Sequence, residues 1–141
     1  MTHRTTRKQA VYMVDGQGAD AAIVRGLESS GCQITFAHGL AEALGAVFAV
    51  QERFAQLPIL VAEVQADALS LLAVLAHQSW LQNPSTAIRP LPMQVVLFDR
   101  SGDDIQTAIR AIEYGVRAYL LARHSPVERE LRVRLVAEEI R

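Results

Sequence analysis

Ala111-Ile112-Glu113-Tyr114-Gly115-Val116-Arg117-Ala118-Tyr119-Leu120-Leu121-Ala122-Arg123 is the stretch that decides the fold. A helical pattern runs into Gly115, the residue type that most often ends a helix. A short apolar segment containing an aromatic, residues 118–121, follows at once and has the length of a buried strand. Working outward, Ser125-Pro126 supplies an N-cap and a proline at the first helical position, so residues 127–140 are expected to be a helix. Upstream, residues 104–114 carry Ile105, Ala108, Ile109 and Ile112 as an apolar helical stripe. A polar turn, residues 99–104, separates them from a strand at 93–98. Residues 83–92 contain three prolines and are expected to be loop. Earlier still come a helix at 67–81, a strand at 59–64 broken only by Glu63, and a helix at 40–54 stopped by Pro58. A strand at 34–37, a helix at 20–30 closed by Gly31, and a strand at 10–14 ending in Asp15-Gly16 complete the pattern.

Strands that alternate with helices run parallel through right-handed crossovers. The expectation is therefore one α/β domain over residues 10–141, a three-layer doubly wound five-stranded parallel sheet with five helices. Residues 1–9 are read as a disordered lead-in. The chain has 141 residues, enough to bury a sizeable core. A net charge of −1 gives no support for direct binding to nucleic acid or to an anionic membrane. The single cysteine, Cys32, excludes an internal disulfide and any multi-cysteine metal site; it is read as partly buried, and a cytoplasmic setting as the natural one. His3, His38, His77 and His124 share no ligand spacing, and no membrane span is expected. Gly16 and Gly18 form a Gly-x-Gly after the first strand, but a third glycine and a later ribose acid are missing, so the dinucleotide fingerprint is incomplete.

Three stretches carry a resemblance to one family. Val14-Asp15 ends the first strand. Gly31-Cys32-Gln33-Ile34-Thr35-Phe36-Ala37 is followed by Ala41-Glu42-Ala43-Leu44. Residues 108–126 include Gly115, Tyr119 and Ser125-Pro126. Together they resemble the response-regulator receiver domain of two-component signalling. The resemblance implies a flavodoxin-like sheet of order 2-1-3-4-5 and a phosphoryl switch. That switch needs an aspartate after the third strand, Mg²⁺ held by carboxylates, a hydroxyl after the fourth strand and a lysine after the fifth.

Carried over position by position, the switch is degenerate. The acidic pair is reduced to Asp15, a weak metal candidate that could equally accept hydrogen bonds from the turn it opens. Glu63 falls at the phospho-acceptor position if Glu63-Val64 is matched to the family's Asp-Val, and a slip of one residue puts Ala62 or Val64 there. Glu63 either holds a permanent negative charge there or is an ordinary strand-end acid reaching water or an arginine such as Arg123. After the fourth strand, an ungapped count from Gly115 lands on Arg100, and Ser101 is the nearest hydroxyl. The lysine position holds Ala122, with Arg123 beside it as a partial substitute or an exposed residue. Tyr119 sits where the family places its switch aromatic, although an aromatic in a strand needs no such role. No cofactor is expected, Mg²⁺ included.

In the final helix Val127, Leu131 and Leu135 lie on one side at about 100° per residue, and Val133, Val136 and Ile140 on nearly the opposite side. One side must pack on the sheet. The reading takes Ile109, Tyr119, Val133, Val136 and Ile140 as a homodimer interface, with docking of an output domain as the other use of that edge. The function expected is a non-enzymatic receiver-like module that acts through protein contacts without phosphorylation. The alternatives are a phosphorylatable receiver with an atypical site and an accessory domain of a larger enzyme, as in the wing domain of bacterial basic-amino-acid decarboxylases. No nucleophile–base pair points to a free-standing enzyme.

Overall fold

The computed structural model describes residues 7–16, 18–82, 93–102 and 104–139. The expected proline-rich loop at 83–92 and the expected interface residue Ile140 lie outside them, as do residues 1–6 of the lead-in. In chain order the elements are β1 (Lys8–Val14), α1 (Ala21–Ser29), β2 (Cys32–His38), α2 (Leu40–Phe54), β3 (Ile59–Glu63), α3 (Ala68–Gln82), β4 (Val95–Asp99), α4 (Ile105–Glu113), β5 (Ala118–Leu121) and α5 (Pro126–Glu138). The five strands are parallel and ordered β2-β1-β3-β4-β5. Among the described residues no helix is long and apolar enough to cross a membrane.

The central strands read as continuous apolar runs because helices cover both their faces. β3 and β4 are buried throughout, including Glu63 and Asp99 at their carboxyl ends. One core layer joins Val11, Met13, Leu60 and Leu97 of the sheet to Val47, Leu71, Leu72 and Ala111 of the helices. The other joins Tyr12, Val61, Phe98 and Leu120 to Ile23, Leu27, Val133 and Val136.

Local chemistry sets the ends. Asp20 caps α1 by accepting from the Ile23 amide at 3.2 Å. Gly31, at φ 83°, closes α1 by donating to the Glu28 carbonyl. Asp104 and Ser125 cap α4 and α5, and Pro126 occupies the first turn of α5 as expected. On α1, Gly26 faces α5 so closely that a Cβ there would lie 2.7 Å from the Glu130 carbonyl oxygen.

Readings change in β1, β3 and α5. β1 begins at Lys8, so residues 8 and 9 belong to the sheet and not to a disordered lead-in; they pair with Cys32 and Gln33. β3 ends at Glu63, and Val64–Ala66 forms a single 3-10 turn closed by Asp67 at φ 71°. On α4 the apolar stripe faces outward, with Ile105 and Ile112 71% and 74% exposed, and Ala111 is the buried residue. In α5 the two sides are exchanged. Val133 and Val136 pack inward, while Val127, Leu131 and Leu135 face solvent. Periodicity supplies two apolar sides and does not say which one the sheet takes. The inner one also carries Ala137 and meets the glycine surface of α1, which allows the closer approach.

Candidate functional site

The carboxyl ends of the parallel strands form the crevice where sites of this architecture lie. β3 delivers Glu63 to this edge with its side chain fully buried. A carboxylate there requires partners, since an unpaired buried charge is costly. It has two. The Tyr12 hydroxyl donates to Oε2 at 2.8 Å from the neighbouring strand β1. Arg100, the first residue after β4, donates through Nε to Oε1 at 2.9 Å and through Nη2 to Oε2 at 3.1 Å. This is the two-pronged geometry that the planar guanidinium favours. The same guanidinium donates to the Gly18 carbonyl at 2.8 Å, approaches Asp15 at 4.0 Å and lies over the Phe98 ring.

Asp15 and Glu63 thus converge on one cation carried by the protein itself. Mg²⁺ needs several oxygen ligands in octahedral geometry. The residues present do not fit it, because the Arg100 guanidinium occupies the space between the two carboxylates. Among the described residues no set of three His, Cys, Asp or Glu side chains is gathered for a metal. The hydrogen bonds to Glu63 raise the Arg100 pKa, with burial opposing them and the charges of Glu63 and Asp15 adding to the rise. Burial pushes the Tyr12 hydroxyl far above its ordinary range, with Glu63 adding to the effect and the Asp20 amide opposing it.

A second cluster stands beside the first. Asp99, at the end of β4, is 1% exposed. Its Oδ1 accepts from Gln65 Nε2 at 2.9 Å, the Ser101 amide at 3.1 Å, Ser101 Oγ at 2.9 Å and the Gly102 amide at 2.9 Å. Its Oδ2 accepts from the Tyr119 hydroxyl at 2.5 Å. Burial alone would raise the Asp99 pKa, but these donors outweigh it and hold the carboxyl at about 2. Burial, followed by the bond to Asp99, raises the Tyr119 pKa. Tyr119 also lines a groove of about 290 Å³ between α4 and β5, with Ile105, Ala108, Leu121 and Arg123.

A third contact closes the back of the site. Arg129 of α5 grips both Asp20 oxygens at 3.1 and 3.0 Å and donates to the carbonyl oxygens of Ala122 and His124. It lies over the same Phe98 ring as Arg100.

The structure therefore brings Asp15 and Glu63 together and places Ser101 in the neighbouring turn, directed at Asp99. Ala122 and Arg123 are exposed on the turn after β5. Glu63 reaches an arginine, as one reading held, but it is Arg100 and not Arg123. Sequence reasoning missed Tyr12, Gln65, Asp99 and Arg129. Asp99 left a signal, an acid closing an apolar strand just before Ser101-Gly102. Tyr12 left none, being hidden in an apolar run.

No protein-family profile matches the chain, and no curated protein matches it by sequence. Solved structures do. The receiver domain of Francisella response regulator 1452 is 19% identical, aligns over 96% of this chain and 100% of its own, and gives a TM-score of 0.65. A response regulator receiver protein from Burkholderia phymatum is 20% identical over 94% and 96%, with a TM-score of 0.64. The chemotaxis response regulator CheY4 of Vibrio cholerae is 12% identical over 94% and 99%, with a TM-score of 0.62. The chain has the fold of response-regulator receiver domains, and at these identities the likeness is one of fold.

Proposed function

We propose that this chain is a receiver-like signalling module of a two-component-type regulator, without catalytic activity and without dependence on phosphorylation. It works in the cytoplasm through protein contacts with a second copy and with an output domain or partner regulator. The observation that carries the reading is the Arg100–Glu63 pair. The acceptor position holds a buried glutamate already neutralised in a two-pronged ion pair, and the lysine position holds an exposed alanine. An acyl phosphate there would have to displace Arg100 and would find no ammonium after β5.

Dimerisation through α4, β5 and α5 is supported by the apolar surface they leave open: Ile105, Ile109 and Ile112 on α4 and Val127, Leu131 and Leu135 on α5. Tyr119 is half-buried on β5, whereas Val133 and Val136 are covered within the core and leave no surface for a second copy. Two ion pairs within the chain border this surface, Glu128 with Arg132 and Arg117 with Glu139. Each aliphatic side chain buried contributes about 1.5–3 kcal/mol, against an association cost of roughly 4–15 kcal/mol.

Titration with Mg²⁺ and beryllofluoride, followed by amide chemical shifts, tests the phosphorylation-independent reading. No saturable shift around Asp15 and Glu63 at millimolar ligand is expected. Saturable binding there would favour a receiver with an atypical working site.

A further inference from the structure

We infer that the outer edge of β2 is a further self-association surface, on which β2 of a second copy of this chain pairs antiparallel across a two-fold axis. β2 is an end strand of the sheet, with β1 as its one paired neighbour among the described residues. It lies at the edge opposite β5, so this surface is separate from the face of α4, β5 and α5 proposed above. A strand in such a position presents unpaired amides and carbonyls, which proteins usually guard with a lysine, a proline, a bulge or a very short strand. β2 has none of these guards. It runs for seven residues, Cys32–His38, and pairs with β1 at every one, so no bulge interrupts it. Cys-Gln-Ile-Thr-Phe-Ala-His holds no basic side chain other than the histidine, no acid and no proline. Thr35 and Phe36 are both exposed, and as consecutive strand residues they point to opposite faces. The middle of the edge is therefore uncovered on both faces, and Phe36 keeps 45% exposure although its ring meets Tyr12.

Charge selects the occupant. Lys8 of β1 stands in register with Cys32 at the start of β2, and exposed Arg7 precedes it. At the other end, Glu42 accepts from the His38 amide at 3.1 Å. An antiparallel copy brings each basic end towards the partner's acidic end, whereas a parallel copy would set like against like. Two-fold symmetry requires the antiparallel choice. With Thr35 at the axis all seven residues pair: Thr35 meets the partner's Thr35, and Ile34 meets the partner's Phe36 on either side of it. Threonine pairs and pairs of an aromatic with a β-branched residue are favourable cross-strand neighbours. One strand edge buries less apolar surface than six aliphatic side chains, so this contact forms at higher concentration than the dimer proposed above. Two two-fold contacts at opposite edges then build an open row of copies.

Sedimentation of the full chain, carried up to millimolar concentration, tests this. The Leu131→Glu chain, with the α5 face blocked, is expected to pass from monomer to dimer as its concentration rises. Adding Thr35→Lys sets two lysines against each other at the axis and is expected to abolish that dimer, whereas adding Thr35→Ser is expected to keep it. If the Thr35→Lys chain fails to fold, Gln33→Lys, also exposed on β2, replaces it. A Leu131→Glu chain that stays monomeric throughout would overturn the inference, leaving the edge to an extended peptide of another protein. A dimer that persists with the lysine in place would overturn it too. Failure of the α4, β5 and α5 interface would appear separately, as a size distribution that Leu131→Glu leaves unchanged.

Discussion

Arg100 covers the buried carboxylate of Glu63 with two parallel hydrogen bonds of 2.9 and 3.1 Å, joining the ends of β3 and β4. Glu63 is fully buried and Arg100 is a quarter exposed, so their removal should have unequal consequences. Arg100→Ala leaves a buried charge with Tyr12 as its remaining described hydrogen-bond donor, and should cost about 3–5 kcal/mol of stability. Glu63→Gln removes the charge itself and should cost less. Urea denaturation of both variants checks the order; an equal or reversed order would mean that the pair is not what holds this edge.

Asp99 supplies an acid-sensitive contribution. Its carboxyl is held at about 2 in the folded chain, below its unfolded value of about 3.9. The stabilisation is therefore complete above about pH 4 and is lost as pH falls through about 2. At neutral pH it amounts to about 2 kcal/mol. Asp99→Asn should destabilise at pH 7, and the difference from the unmutated chain should shrink between about pH 4 and 2. Denaturation midpoints at several acid pH values measure this, and a constant difference would contradict it.

The α5 sides respond oppositely to charge. Leu131→Glu faces solvent and should give a folded monomer where the unmutated chain dimerises. Val136→Glu places a carboxylate in the core beside the sheet and should cost more than about 3 kcal/mol, giving unfolding and not clean dissociation. Light scattering coupled to size exclusion, with a thermal melt of each variant, separates the two outcomes. An unmutated monomer at high concentration would remove this face as an interface.

Ala122→Lys alone should not restore phosphorylation. A lone lysine after β5 supplies one ammonium, while Glu63 stays paired with Arg100. Intact-mass measurement after incubation with acetyl phosphate is the check, and a stable gain of one phosphoryl group would show the acceptor to be elsewhere.

Gly26→Ala should destabilise by about 1–3 kcal/mol. The added carbon would lie 2.7 Å from a backbone oxygen of α5 and against Val133, and backbone cannot yield as a side-chain tip does. A chemical-denaturation midpoint within error of the unmutated chain would mean that the two helices separate freely.

Much of the fold was legible because its signals are local. Gly31, Gly115 and Ser125-Pro126 mark helix ends through backbone chemistry that operates in any surroundings. The outward side of α5 was not legible, because the choice between its two apolar sides depends on what the helix meets. For α5 that includes Gly26, more than a hundred residues away in sequence. Pattern alone picks out Asp15, Glu63 and Ala122 as candidates. It does not pick out the partners: Tyr12–Glu63 and Arg100–Glu63 join residues that only strand order brings together.

Lys8 donates from Nζ to the Ala137 carbonyl at 2.9 Å, so the start of β1 holds the far end of α5. Ile23 and Leu27 of α1 share their core layer with Val133 and Val136 of the same helix. During synthesis, α1 can form early, yet its sticky side stays partly uncovered until residues 126–138 leave the ribosome. The two ends of the domain thus fasten on each other as a clasp does.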